Sequence, residues 1–189
     1  MRKIIISLHM SLDGFAGGPK GEMDWIKFDN ELFDLVGQFT SEADMALYGR
    51  ITWEMMNSYW PTAADLPNAT KHDVEHSHWY NEVNKIVLSK SLDGTTTDKT
   101  RFIGNNVAEE IKNIKEVQGK NIMIFGSLSA VHTLMEHNLI DEYWMFINPI
   151  VLGKGIPVFI ASDKRTELQQ ISSQTFPCGV TGIHYSVNS

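Results

Sequence analysis

The sequence predicts an α/β fold: a single domain over residues 1–189, with a mostly parallel central sheet, helices on both faces and antiparallel strands at its C-terminal end. Three observations carry this. Short β-branched runs alternate with helix-period segments along most of the chain, the pattern of strands joined by crossover helices. The last strand-like runs, 142–147, 168–175 and 181–187, have no helix between them and therefore pair antiparallel. Hydrophobic residues are 42% and charged residues 21% of the chain, a globular composition suited to one core.

Ile4 to Met10 is a β-branched run closed by a Ser-Leu-Asp-Gly turn, and it reads as a buried central strand. A glycine-rich connection follows from Ser11 to Phe28, long enough to suggest a functional loop. Asp29 then caps a helix to about Ser41, with Leu32, Phe33, Leu35, Val36 and Phe39 at helical spacing. Met45 to Tyr48 is a strand, Gly49 leads into a helix over Ile51 to Met56, and Pro61 and Pro67 bracket a loop. Asn84 to Ser89 and Thr100 to Ile103 are strands separated by a Ser-Leu-Asp-Gly turn. Asn106 caps a helix from Val107 to about Val117, Ile122 to Phe125 is a buried strand, and Ser127 to His137 is the next helix.

The net charge of -7, with no basic run, argues against nucleic acid as a partner. Cys178 is the single cysteine, so no intrachain disulfide forms. The N-terminal apolar run is too short for a signal segment and no stretch reaches spanning length, which predicts a cytoplasmic protein off the membrane. His72, His76 and His78 sit in a polar, Pro-flanked segment read as surface, and no metal site is expected there. Trp144, Phe146 and Phe159 on late apolar segments predict a self-associating face and a homodimer.

Ligands of open α/β sheets sit beyond the carboxyl ends of the strands, so the residues following each parallel strand are the candidates. Gly49, Arg50 and Thr52 combine a glycine, a guanidinium, a hydroxyl and a helix start, which suits a phosphate as well as an ordinary helix cap. Gly126, Ser127 and Leu128 place a second glycine and helix start after a buried strand. Two such junctions in one sheet favour a dinucleotide, without the G-x-G-x-x-G fingerprint. Lys90, after Ser89, can meet a 2′-phosphate, and Trp25 can stack on a flat ring. Asp13 fits either a proton relay or an acceptor within its own turn.

In their order and spacing, 11–14 (SLDG), 21–26 (GEMDWI), 47–54 (LYGRITWE), 122–127 (IMIFGS), 139–142 (LIDE) and 149–159 (PIVLGKGIPVF) form a pattern over nearly the whole chain. It resembles the dihydrofolate-reductase-like family, above all the reductase domain at the C-terminus of the bacterial bifunctional riboflavin deaminase-reductase. The resemblance implies a three-layer dihydrofolate-reductase-like domain that binds NADPH and passes a hydride to a small heterocyclic substrate, as 5-amino-6-(5-phosphoribosylamino)uracil reductase does. It implies that the backbone of His9 and Met10 meets the nicotinamide carboxamide, with Trp25 beside it. Gly49, Arg50 and Thr52 then lie along the phosphates, Ser89 and Lys90 near the 2′-phosphate, and Gly126, Ser127 and Leu128 at the pyrophosphate. The chain departs from that family where Ser127 replaces a second glycine, Phe125 a glutamate, and 29–32 (DNEL) a segment carrying a phosphate-binding arginine. Dihydrofolate reduction, which needs Asp29, Glu31 or Asp34 to face the cleft, and dinucleotide binding without catalysis are the alternatives.

Overall fold

The computed structural model describes residues 1–163 and 165–188. Strand β1 (Ile4–Ser11) leads to a short β2 (Phe15–Gly17), then α1 (Asn30–Ser41), β3 (Ala43–Gly49) and α2 (Arg50–Tyr59). A 3-10 turn (Trp60–Asp65) and α3 (Lys71–Glu82) precede β4 (Asn84–Leu88), β5 (Thr96–Thr97) and β6 (Thr100–Ile103). Then come α4 (Val107–Glu116), β7 (Asn121–Phe125), α5 (Leu128–Glu136), β8 (Glu142–Asn148), β9 (Ile156–Pro157), β10 (Leu168–Thr175) and β11 (Thr181–Val187).

The main sheet runs β10-β11-β8-β1-β7-β3-β4-β6-β5. Every pairing from β8 across to β6 is parallel, while β10, β11 and β5 pair antiparallel. The expected class holds, a mostly parallel sheet ending in antiparallel C-terminal strands. On β1, Ile4, Ile6 and Leu8 face a core built with Ile111 of α4 and Ala130, Val131 and Leu134 of α5. Ile5 faces the other core, with Leu32 and Phe39 of α1 and Tyr80 of α3. Helices therefore cover both faces in three layers, and a strand buried on both sides must be apolar throughout, as Ile4-Ile5-Ile6 is.

Four local readings are corrected. The Pro-bracketed stretch and the polar segment after it fold as the 3-10 turn and α3, whose start carries a full capping box between Thr70 and Asp73. The buried face of α3 is His76, Ser77 and Tyr80, so no apolar period marks it. The glycine-rich connection contains β2, which pairs with β9. Asn106 does not cap α4 through its side chain; it sits left-handed at φ 50, a conformation asparagine tolerates. Asp29 does cap α1, accepting from the Leu32 amide at 2.9 Å and with its other oxygen from the Cys178 amide at 2.7 Å, which ties α1 to the β10–β11 turn. Among the described residues no helix is long and apolar enough to cross a membrane.

Candidate active site

The sheet order places the carboxyl ends of β1, β7, β3 and β4 side by side, a row about 14 Å long at an inter-strand spacing of about 4.8 Å. His9 and Met10, then Gly126 to Leu128, then Gly49 to Thr52, then Ser89 and Lys90 stand along it in that order. The structure thus brings together the junctions singled out from the sequence.

At the centre the row is notched. Pairing of β1 with β7 ends at Ser7 and Phe125, closed by the Gly126 amide donating to the Ser7 carbonyl at 3.0 Å. Beyond it β1 continues to Ser11, paired only with β8, so its other edge at His9 and Met10 is open. The chain leaves β7 through two successive left-handed residues, Gly126 at φ 67 and Ser127 at φ 56, and enters α5 directly. The Gly49 amide donates to Ser127 Oγ at 2.6 Å, so this hydroxyl holds β3 against β7 and is not free to cap α5. Gly49, the N-cap of α2, has no side chain to cap with either. Two helix starts with uncapped amides therefore adjoin, close enough that a Cβ on Gly49 would lie 2.4 Å from Ser129 Oγ and 3.7 Å from the Ala130 nitrogen. Orphan amides and aligned peptide dipoles make such a place attractive to an anion.

Arg50 is bonded one turn on to Glu54 at 2.5 Å, an exposed pair worth at most about 1 kcal/mol and no obstacle to a better partner. Thr52 is half-buried beside it. Ser89 is buried with its Oγ 3.2 Å from that of Ser91, and Lys90 is exposed with no ion pair among the described residues.

On the α1 side of the notch the wall is aromatic. His9 meets Phe28 edge-on with ring centres 4.9 Å apart, Phe28 stacks on Phe33 at 5.2 Å, and Phe33 stacks on His72 at 4.2 Å. His72 meets Trp60, which lies 4.0 Å from His76. Burial lowers the pKa of His72, pushes His9 down to about 4, and with neighbouring His72 pushes His76 down to about 3. These imidazoles are neutral at neutral pH. The polar surface segment expected around the histidines is instead partly core, because α3 turns His76 inward.

Trp25, expected next to the reacting ring, donates its indole N–H to the Glu22 carbonyl at 2.9 Å and makes no ring contact with this wall; Phe28 does. Asp13 accepts from the amides of Leu152 at 3.1 Å and Gly153 at 2.7 Å and so tethers two loops, the acceptor role within its turn region that the sequence allowed beside a proton relay. Hydrogen bonds to its carboxylate, the Ser11 hydroxyl first, hold its pKa below the ordinary value. Asp29 is consumed by two amides, Asp34 is bonded to Lys71 at the surface, and Glu31 is exposed, so none is the buried carboxylate that dihydrofolate reduction needs. The wall residues Phe28, Phe33, Trp60 and His72 come from separate segments, and no motif spacing marked them.

A family model described as the RibD C-terminal domain matches residues 2–181. Two uncharacterized proteins of Bacillus subtilis (strain 168) are similar along their length. YyaP is 33% identical over 99% of this chain and 96% of its own, and YwjB 27% identical over 97% of each. Among solved structures, a Shewanella sp. PV-4 protein assigned to riboflavin biosynthesis superposes with a TM-score of 0.75 at 20% identity, covering 100% of both chains. The Thermotoga maritima diaminohydroxyphosphoribosylaminopyrimidine deaminase/5-amino-6-(5-phosphoribosylamino)uracil reductase gives 0.68 at 14% identity over 99% of this chain and 57% of its own. A pyrimidine reductase-like protein of Corynebacterium diphtheriae gives 0.67 at 16% identity, covering 100% of this chain and 92% of its own. At these identities the structures speak for the fold.

Proposed function

The chain belongs to the RibD C-terminal domain family, and from that premise we propose that it is a cytoplasmic NADPH-dependent reductase acting on a small heterocyclic acceptor. The observation that carries the reading is the notch at the end of β7, where an open β1 edge and two uncapped helix starts adjoin. The donor set fits a phosphorylated dinucleotide: amides and a hydroxyl at the centre, cations toward β4. When bound, NADPH supplies a hydride from C4 of its nicotinamide to an unsaturated carbon of the acceptor, whose neighbouring heteroatom takes a proton. In this reading the open edge at His9 and Met10 orients the carboxamide. The amides from Gly126 to Leu128 hold the pyrophosphate, Gly49, Arg50 and Thr52 extend that cradle, and Ser89 and Lys90 take the 2′-phosphate. The chain's contribution is orientation and the exclusion of water by the aromatic wall.

Titrating NADPH and NADH against tryptophan fluorescence tests this. NADPH binds more tightly than NADH, and Arg50→Ala and Lys90→Ala each weaken NADPH about ten-fold, the worth of one charge-assisted contact. Lys90→Ala also narrows the preference for NADPH. Failure of the wild-type protein to bind either nucleotide overturns the reading.

We also propose that the protein works as a homodimer. Phe146 is fully buried and offers no surface, but Phe159 is 48% exposed, and all of β10 is exposed along the outer edge of the sheet. An edge strand carrying exposed Leu168 and Ile171 is a template for a second copy. Sedimentation at micromolar concentration gives a dimer that Ile171→Lys shifts toward monomer; a monomeric wild-type protein refutes it.

A further inference from the structure

The proton on His9 can be placed from its neighbours. Asn148 is fully buried, and its side-chain oxygen accepts from the Lys27 amide at 2.9 Å, which can only donate. Its nitrogen donates to the Phe146 carbonyl at 3.2 Å, which can only accept, so the amide cannot be flipped. The same nitrogen lies 3.2 Å from His9 Nδ1. A neutral imidazole facing a donor there keeps its lone pair on Nδ1 and its proton on Nε2. His9 Nε2 has no partner among the described residues and is not one of their fully buried unpartnered atoms, so it keeps some exposure.

Beside it the wall offers one flat ring: Phe28 is 48% exposed and is backed by Phe33, which itself lies stacked between Phe28 and His72. The charge at the start of α1 is net negative. The start of α1 carries Asp29, Glu31 and Asp34, and Lys71 is bonded to Asp34 at 2.7 Å with Glu75 at 4.0 Å, while the exposed Lys27 has no ion pair among the described residues. Resting on the reductase reading above, we infer that the acceptor is an uncharged planar ring without a phosphate group, laid against Phe28 and read at one acceptor atom by His9 Nε2–H. His9 is a specificity-determining residue, and a carbonyl oxygen or ring nitrogen next to the reducible carbon is the feature it selects.

The probe is lumazine, an uncharged two-ring heterocycle, compared with its 8-ribityl 5′-phosphate derivative, each followed by its own fluorescence near neutral pH without NADPH. Lumazine binds at least about ten-fold more tightly than the phosphorylated ring. His9→Phe, which keeps a ring and removes the donor, weakens lumazine about ten-fold. Phe28→Ala, at an exposed position that cannot disturb the core, weakens it about five-fold. Circular dichroism shows both variants folded. Equal or tighter binding of the phosphorylated ring, no binding of lumazine, or a lumazine affinity unmoved by His9→Phe overturns the inference. A protein that binds lumazine in this His9-dependent way but never binds NADPH keeps the ring site and loses the reductase reading.

Discussion

Replacing Gly126 by valine lowers NADPH affinity at least about a hundred-fold, close to 3 kcal/mol, and leaves a folded protein. The reason lies in how β7 becomes α5. Gly126 and Ser127 are both left-handed, at φ 67 and φ 56, and this pair turns the chain so that the α5 amides face the notch. An L residue in that conformation costs about 1–2 kcal/mol, and more when β-branched, so the turn is strained without being forbidden. A Cβ on Gly126 would meet nothing within 4 Å, so no packing clash adds to the cost. The added methyl groups instead occupy the open side of the turn, where the pyrophosphate approaches the backbone in the proposed reading. Titration of the variant, beside a urea unfolding curve, separates lost binding from lost folding. A valine variant that binds NADPH like the wild type places the pyrophosphate elsewhere.

That turn shows which parts of the site were legible in the sequence. A short apolar run followed by glycine and a helix-period segment marks a strand end, and strand ends of an open α/β sheet are where ligands bind, so Gly49 and Gly126 could be chosen before any coordinates. Their being neighbours could not, because β7 inserts between β1 and β3 only through the sheet order. The open edge of β1 depends on β7 stopping at Phe125 while β1 runs on, a difference in pairing that single-strand patterns do not carry. Strands β2 and β9 were invisible because they are too short for alternation to register. The aromatic wall was hidden for another reason: His9, Phe28, Phe33, Trp60 and His72 come from β1, a loop, α1, the 3-10 turn and α3, and each alone reads as an ordinary core or surface residue.

The same wall makes stability depend on acid well above the carboxylate range. Both ring nitrogens of His76 are buried without a hydrogen-bond partner among the described residues, and its pKa falls from an ordinary 6.5 to about 3. His9 falls to about 4. Below pH 6.5 the unfolded chain takes up protons on these groups that the folded chain refuses, so the unfolded state binds more protons and stability decreases as the pH falls. The loss runs from about 6.5 down to the folded values near 3 and 4, whereas the carboxylates with lowered pKa, such as Asp13 and Glu142, give up their contribution only below their ordinary values near 4. Between pH 7 and pH 5, linkage gives about 2 kcal/mol for His76 and up to as much again for the partly open His9. Urea unfolding at the two pH values reads this directly. His76→Phe keeps a ring against Trp60 and Phe125, discards two unpaired nitrogens, and removes about 2 kcal/mol of the pH-dependent loss while holding or raising stability at pH 7. An unchanged pH slope in that variant means that His76 is not the buried neutral imidazole that joins α3 to the wall.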